Sequence, residues 1–130
     1  MNQFFSITPK GLSLSDIRNI ISNRLKLSLS SESVERINTN RRYLEEKLKN
    51  NDQAFYGINT GFGSLCDQKI SNEELKKLQI NLVISHACGV GKEIELPIVK
   101  LMMLLKINAL SFGFSGIKLQ TVEKLIFFFK

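Results

Sequence analysis

The 130-residue chain has little of the chemistry that builds metal centres or disulfide frameworks. It contains one histidine, two cysteines and no tryptophan. With His86 as the only imidazole, the sequence excludes a histidine-based metal cluster or a relay of several histidines. Cys66 and Cys88 lie too far apart for a paired metal-ligand spacing, and neither has a recognisable catalytic partner. We therefore expect two reduced thiols that pack as small buried hydrophobes in a cytoplasmic protein.

Long runs of one residue kind are also missing. No stretch carries five like charges in a row, although the net charge is +6, and no basic segment is interleaved with aromatic residues. A nucleic-acid partner is therefore not predicted, and the scattered charges are typical of solvated helix faces. The longest apolar stretch, residues 96–110, is interrupted by Lys100, Lys106 and Asn108, so no membrane span of about 20 apolar residues is predicted. The first nine residues lack the basic region and apolar core of a signal peptide.

What the sequence does contain is helical periodicity separated by clear breaks. Ser13 followed by Asp16 resembles a capping box, and so does Ser71 followed by Glu74. Pro97 suits the first turn of a helix. We therefore predict a mainly α fold in a single domain, residues 1–130, with minor short strands confined to the first third. The predicted helices cover about 14–23, 32–49, 71–88, 97–111 and 118 onward, and the predicted strands cover 3–7 and 25–29.

The last two predicted helices are apolar on more than one side. Residues 125–129, Leu-Ile-Phe-Phe-Phe, cover every side of a helix. Fully burying one Phe or Ile side chain contributes roughly 1.5–3 kcal/mol, so leaving several exposed favours association. We therefore expect the chain to be part of something larger or to pack against other copies.

Residues 51–70 break the helical pattern, with glycines at positions 57, 61 and 63. Loops of this length inside compact domains are usually functional or disordered. Within it, residues 56–63 read Tyr-Gly-Ile-Asn-Thr-Gly-Phe-Gly, and Asn59 and Thr60 are expected to hydrogen-bond the loop backbone. A phosphate-binding loop is not favoured, because the Lys-Ser/Thr ending that such loops need is missing.

Three segments resemble the aromatic amino-acid ammonia-lyases in sequence and in order. They are residues 56–63, residues 78–91 and residues 106–117. The resemblance implies an ammonia-lyase-type fold, of which this chain would be the N-terminal part, and a homotetramer. It also implies elimination of ammonia from a small-molecule amino-acid substrate without an added cofactor. The electrophile of the family is a methylidene-imidazolone, formed from an internal Ala-Ser-Gly triad.

The same resemblance assigns roles to four residues. Tyr56 would be the base that removes the β-proton, and Gly63 would line the substrate pocket. A tyrosine phenol is a weak acid, so its anion must be favoured by neighbours before it can act at neutral pH. The Ser85–His86 pair is typical of the histidine-specific branch, in which His86 would help to hold the substrate imidazole and Ser85 would lie beside it. The alternatives are a packed aromatic near a turn for Tyr56 and a hydrogen-bonded core residue for His86.

The sequence departs from the family pattern in two ways. Phe112 occupies a position that is commonly basic, and the chain contains no Ala-Ser-Gly. Phe114 precedes Ser115–Gly116, so that pair cannot form the cyclised group by the family route. The predicted function is therefore that of part of a histidine ammonia-lyase, converting L-histidine to urocanate, with no activity expected from the 130 residues alone. The alternatives are part of a tyrosine or phenylalanine ammonia-lyase, or a non-catalytic helical interaction fragment.

Overall fold

The computed structural model describes residues 3–50, 54–60 and 70–129. They belong to two compact units, one made of Met1–Lys47 with Ile94–Lys130 and the other of Leu48–Glu93. The predicted mainly α fold with minor strands near the start is confirmed, whereas the single domain over 1–130 stays a prediction. The elements are β1 (Phe4–Ile7), α1 (Leu14–Ser22), β2 (Lys26–Leu29), α2 (Ser31–Asn50), α3 (Asn72–His86), α4 (Leu96–Ser111) and α5 (Leu119–Phe129).

In the first unit, the two strands lie side by side and run parallel. Phe4 pairs with Lys26, and Ile7 pairs with Leu29. Parallel neighbours need a crossover connection, which α1 and its two loops supply. The two extended segments were predicted separately, and their parallel register is a property of the tertiary structure.

The helix starts in this unit follow local hydrogen-bonding chemistry. Ser13 Oγ accepts the backbone N–H of Asp16 at 3.1 Å, and the Asp16 carboxylate accepts the backbone N–H of Ser13 at 2.9 Å. This reciprocal pair confirms the predicted capping box at the start of α1. Ser30 Oγ accepts the backbone N–H of Ser33 at 3.2 Å and so caps the start of α2.

The core of the first unit draws apolar side chains from both strands and from four helices. Ile7, Ile20, Leu104, Ile107 and Val122 are fully buried. Burial of this kind contributes roughly 1.5–3 kcal/mol for each large aliphatic side chain. The remaining buried apolar members of the cluster are Leu25, Leu27, Ile37, Leu110 and Phe129.

Two polar side chains of α4 tie this core to the chain that follows β1. Asn108 Nδ2 donates to the carbonyl oxygen of Lys10 at 2.9 Å. Ser111 Oγ donates to the carbonyl oxygen of Asn108, in the same helix, at 2.7 Å. It also lies 3.1 Å from the carbonyl oxygen of Thr8. Buried polar groups need such partners, because an unsatisfied one costs roughly 1–3 kcal/mol.

The turn after α4 packs closely against α2. Gly113 has φ +76, and a Cβ built there would lie 2.7 Å from the backbone carbon of Arg36. Gly116 donates its N–H to Asn40 Oδ1 at 2.7 Å, and its carbonyl accepts from Arg41 Nη1 at 3.1 Å. The predicted break at this turn is confirmed, and glycine at 113 is required by both conformation and space.

Both helices that were predicted to be apolar on more than one side expose part of that surface. Met102 and Leu105 of α4 are 57% and 47% exposed, although Leu104 between them is buried. In α5, Phe127 and Phe128 are 56% and 60% exposed, whereas Phe129 is buried. Within the described ranges, no helix is long and apolar enough to cross a membrane.

The second unit contains α3, which begins where it was predicted. Ser71 Oγ accepts the N–H of Glu74 at 3.4 Å and also lies 3.1 Å from the Glu74 carboxylate. Along one side of α3, Leu78 and Leu82 are half-buried, whereas Ser85 is exposed.

One prediction about the cysteines is wrong. Cys88 was expected to be a small buried hydrophobe, but its side chain is exposed. The reason is its position two residues beyond the last residue of α3, where the chain has left the helix and lies at the surface. Cys66 lies outside the described residues, so the same expectation stays a prediction there.

Candidate functional site

Tyr56 lies in a tight turn at the start of the glycine-rich segment. The carbonyl oxygen of Phe55 accepts the N–H groups of Ile58 and Asn59, at 3.0 and 3.2 Å. Gly57 follows Tyr56 with φ +72, a left-handed conformation that glycine adopts without steric penalty. The turn therefore reverses the chain directly after the tyrosine.

Two buried polar side chains hold this turn from within. Asn59 Oδ1 accepts the backbone N–H of Phe55 at 2.6 Å, and Thr60 Oγ1 accepts the N–H of Gly57 at 3.3 Å. The side chains of Asn59 and Thr60 are only 6% and 1% exposed, and the two bonds are part-buried. This confirms the expectation that both residues hydrogen-bond the loop backbone.

The side chain of Tyr56 contrasts with these buried anchors, since it is 67% exposed. A packed aromatic, the alternative for this residue, does not fit that exposure. The arrangement is a braced turn that presents a phenol at the surface of its unit. Catalytic side chains are commonly carried in this way by loops that a rigid scaffold positions.

Gly63 lies outside the described residues, so its role in the substrate pocket stays a prediction. Asn59 and Ile70 lie on either side of this position in the sequence, and the N–H of Ile70 donates to the carbonyl oxygen of Asn59 at 2.9 Å.

Ser85 and His86 are the last two residues of α3, and both of their side chains contact the same backbone carbonyl oxygen. His86 Nδ1 lies 2.8 Å from the carbonyl oxygen of Leu82, and Ser85 Oγ donates to the same oxygen at 3.0 Å. Ser85 Oγ and His86 Nδ1 are 3.1 Å apart. A carbonyl oxygen can only accept, so this contact is a hydrogen bond in the tautomer that carries the proton on Nδ1. In the neutral ring, Nε2 is therefore the nitrogen with a free lone pair.

The surroundings of His86 are apolar and open. Leu82, Val83, His86 and Ala87 line a shallow depression, and Val83 is 68% exposed. His86 is also exposed, which does not fit the alternative of a core histidine. The Leu82 carbonyl that orients the ring was missed by sequence reasoning, although the i−4 spacing within a helix is a signal that could have found it.

Phe112 was noted as an aromatic residue at a commonly basic position. It is half-buried at the end of α4, and its ring stacks on that of Phe114 with centroids 6.4 Å apart. The contact at this position is therefore between two aromatic rings.

The residues of this chain do not fit the formation of a cyclised electrophile. The candidate pair Ser115–Gly116 follows Phe114, and the two backbone polar groups of Gly116 are bound by Asn40 and Arg41 of α2. Asn40 and Arg41 thereby hold the turn in place. In the part of the chain that the structure describes, no group of three or more His, Cys, Asp or Glu side chains could hold a metal ion.

Comparison with known proteins decides the family. A family model described as aromatic amino acid lyase matches residues 12–130. This chain belongs to the aromatic amino acid lyase family. The match covers all three segments that carry the sequence resemblance, including the turn of Tyr56 and the end of α3.

The similarity to individual proteins extends over nearly the whole chain. A histidine ammonia-lyase of Legionella pneumophila is 43% identical over 129 residues, which is 99% of this chain and 25% of that protein. The crystal structure of a histidine ammonia-lyase from Trypanosoma cruzi is 30% identical, with a TM-score of 0.82 over 98% of this chain and 25% of that one. The ergothioneine-degrading enzyme of Treponema denticola has a TM-score of 0.89 at 25% identity, over 98% of this chain and 25% of its own. The chain thus spans about a quarter of the length of these relatives.

Proposed function

We propose that this chain is part of a histidine ammonia-lyase, an enzyme that eliminates ammonia from L-histidine to give urocanate. The observation that carries the proposal is the 43% identity to a histidine ammonia-lyase over 129 residues. The geometry at the end of α3 supports histidine as the substrate, because Ser85 and His86 share one carbonyl acceptor and the imidazole is exposed.

In the proposed reaction, Tyr56 removes a proton from the β-carbon of the substrate. The phenolate Oη takes that proton while the electron pair of the C–H bond forms the Cα–Cβ double bond. The Cα–N bond breaks, and the nitrogen leaves as ammonia. One histidine therefore gives one urocanate and one ammonia, with no oxidation or reduction. Tyr56 is 67% exposed on a turn braced by Asn59 and Thr60, which supports its contact with a substrate.

His86 would recognise the substrate ring. Its Nδ1 is engaged by the Leu82 carbonyl, so Nε2 of the neutral imidazole is an acceptor for a substrate ring N–H. The Ser85 hydroxyl donates to the same Leu82 carbonyl oxygen and lies beside the imidazole. Gly63 would complete the pocket.

The wider properties proposed for the complete enzyme come from the family. It would use a methylidene-imidazolone made from an Ala-Ser-Gly triad, which the 130 residues do not contain. This group supplies the electrophile that activates the amino group for departure. The enzyme would be a cytoplasmic homotetramer acting in histidine degradation.

The test compares three substrates on the complete natural polypeptide. We expect release of ammonia and urocanate from histidine, with far lower turnover of tyrosine and phenylalanine. The polypeptide restricted to these 130 residues serves as a control and should release no ammonia. A complete enzyme that prefers tyrosine or phenylalanine would contradict the assignment of histidine, and an inactive complete polypeptide would favour the non-catalytic alternative.

A further inference from the structure

A cavity in the first unit shares no residue with the site of Tyr56 and His86. It has a volume of about 570 Å³ and lies among the end of α1, the start of β2, the first turns of α4 and the end of α5. Its walls include Ile20, Leu25 and Phe129, which are all buried, together with Leu96 and Pro97. A volume of this size is in the range of small-molecule sites.

Three cationic side chains line this apolar cavity. They are Arg24, Lys26 and Lys100, and none of the described residues that line it is acidic. Lys100 Nζ lies 5.7 Å from the centroid of the Phe129 ring, which places an ammonium against the buried aromatic wall. Positive charges without nearby acids, placed beside apolar walls of low dielectric constant, attract anions.

Arg24 adds an independent observation, because its backbone is strained. Its φ is +48, the only positive φ among the described non-glycine residues. The N–H of Arg24 donates to the Ile21 carbonyl at 3.3 Å, and the N–H of Leu25 donates to the Ile20 carbonyl at 3.0 Å. This is the hydrogen-bond pattern of a Schellman motif, and Arg24 occupies the position that glycine usually takes.

The Schellman motif holds Arg24 in the left-handed region, although glycine would adopt that conformation with less strain. Non-glycine residues persist in the left-handed region when the surrounding structure holds them there, and such positions cluster at functional sites. Here the residue in question contributes one of the three cations of the cavity.

We propose that this cavity binds a small amphipathic anion, with a carboxylate on the side of the cationic residues and an apolar tail against Ile20, Leu25 and Phe129. The carboxylate is favoured because the cavity carries positive charge without a lining acid, and the tail is favoured because the walls are apolar. The proposal does not depend on the substrate of the lyase.

The first test uses octanoate, octylamine and acetate as probes in calorimetric titrations of the complete natural polypeptide. Octanoate should bind saturably, whereas octylamine has the same tail with the wrong charge and acetate has the charge without the tail. Equal binding of octylamine and octanoate would overturn the proposal, and so would the absence of saturable octanoate binding.

The second test uses substitutions at the cations. Lys100→Ala should weaken octanoate binding by about tenfold, the loss expected for one charge-assisted contact. Lys106→Ala is the matched control, because Lys106 is on the same helix, exposed, and absent from the cavity lining. It should leave octanoate binding unchanged.

Arg24→Gly separates ligand binding from structure. Glycine relieves the strain at a positive φ, so the midpoint of thermal unfolding should rise while octanoate binding weakens. A residue with a purely structural role would not change the two quantities in opposite directions. Unchanged octanoate binding in either Lys100→Ala or Arg24→Gly would overturn the assignment.

Discussion

His86 Nδ1 lies 2.8 Å from the carbonyl oxygen of Leu82, one helical turn earlier in α3. The contact favours the neutral tautomer with the proton on Nδ1, in which Nε2 is the acceptor. It also holds the ring at the end of a helix, where Ser85 shares the same carbonyl. The side chain is therefore oriented by its own helix before any ligand binds.

From this relationship we predict that His86→Ala impairs the use of histidine by the complete enzyme. The loss of one hydrogen bond to the substrate ring should raise KM and lower kcat/KM by roughly 10- to 100-fold. Steady-state kinetics with histidine measures this change. Lys76→Ala, at an exposed position of the same helix, is the control and should behave like the unaltered enzyme. Unchanged kcat/KM in His86→Ala would remove the residue from the substrate site.

A second prediction concerns the proposed base. Tyr56→Phe should lower kcat of the complete enzyme by about 10²- to 10⁴-fold, because the phenol oxygen that takes the proton is removed. Since Tyr56 is 67% exposed, the free energy of unfolding should change by no more than about 0.5 kcal/mol.

The chain offers a matched control for that substitution. Tyr43 is the other of its two tyrosines and is 57% exposed on α2. Tyr43→Phe should leave both kcat and stability near those of the unaltered protein. Equal kcat for the Tyr56 and Tyr43 variants would show that Tyr56 is not the base.

A third prediction tests the turn between α4 and α5. Gly113→Ala should destabilise the protein by about 2–4 kcal/mol, because a side chain at φ +76 is strained and its Cβ would clash with Arg36. Chemical denaturation measures the change. Gly11→Ala is the control, since a Cβ there meets nothing within 4 Å. Similar stabilities for the two variants would contradict the close packing of this turn.

A fourth prediction concerns the response of α1 to acid. Hydrogen bonds from the Ser13 hydroxyl and, secondarily, from the Ser13 N–H lower the pKa of Asp16 below its ordinary value of 3.8, against a small opposing effect of desolvation. A lowered pKa in the folded state means that the stabilising contribution is present above about pH 3.8 and is lost as the pH falls through the folded pKa.

Ser13→Ala should therefore raise the pKa of Asp16 towards its ordinary value and reduce the acid dependence of stability in that range. An NMR titration of the Asp16 carboxyl and thermal unfolding at neutral and acidic pH measure the two effects. Ser22→Ala, at the other end of α1, should leave the pKa of Asp16 where it is. If Ser13→Ala also left that pKa unmoved, the capping box would not be its cause.

Much of the helical structure could be predicted because its signals are local. Ser13 and Asp16 are three residues apart, and Pro97 marks the first turn of α4 without reference to any distant residue. The brace of the Tyr56 turn was also predictable in kind, since Asn59 and Thr60 bond backbone groups only three or four residues away. The roles of Tyr56, Gly63, Ser85 and His86 stay predictions.

The exposure of Cys88 shows where local reasoning stops. A cysteine is usually buried when averaged over proteins, but burial depends on which surfaces meet in space. The parallel pairing of β1 with β2 and the contact of Gly113 with Arg36 have the same origin, because each joins residues far apart in the sequence.

The sequence by itself determined where the described helices begin to within a few residues, and it contained the motifs that identify the aromatic amino acid lyase family. It could do so because capping, periodicity and turn chemistry act over a few residues. The tertiary structure alone decided that Arg24, Lys26 and Lys100 share one apolar cavity. Long-range packing brings the ends of α1 and α5 to the start of α4, and no local pattern in the sequence specifies that meeting.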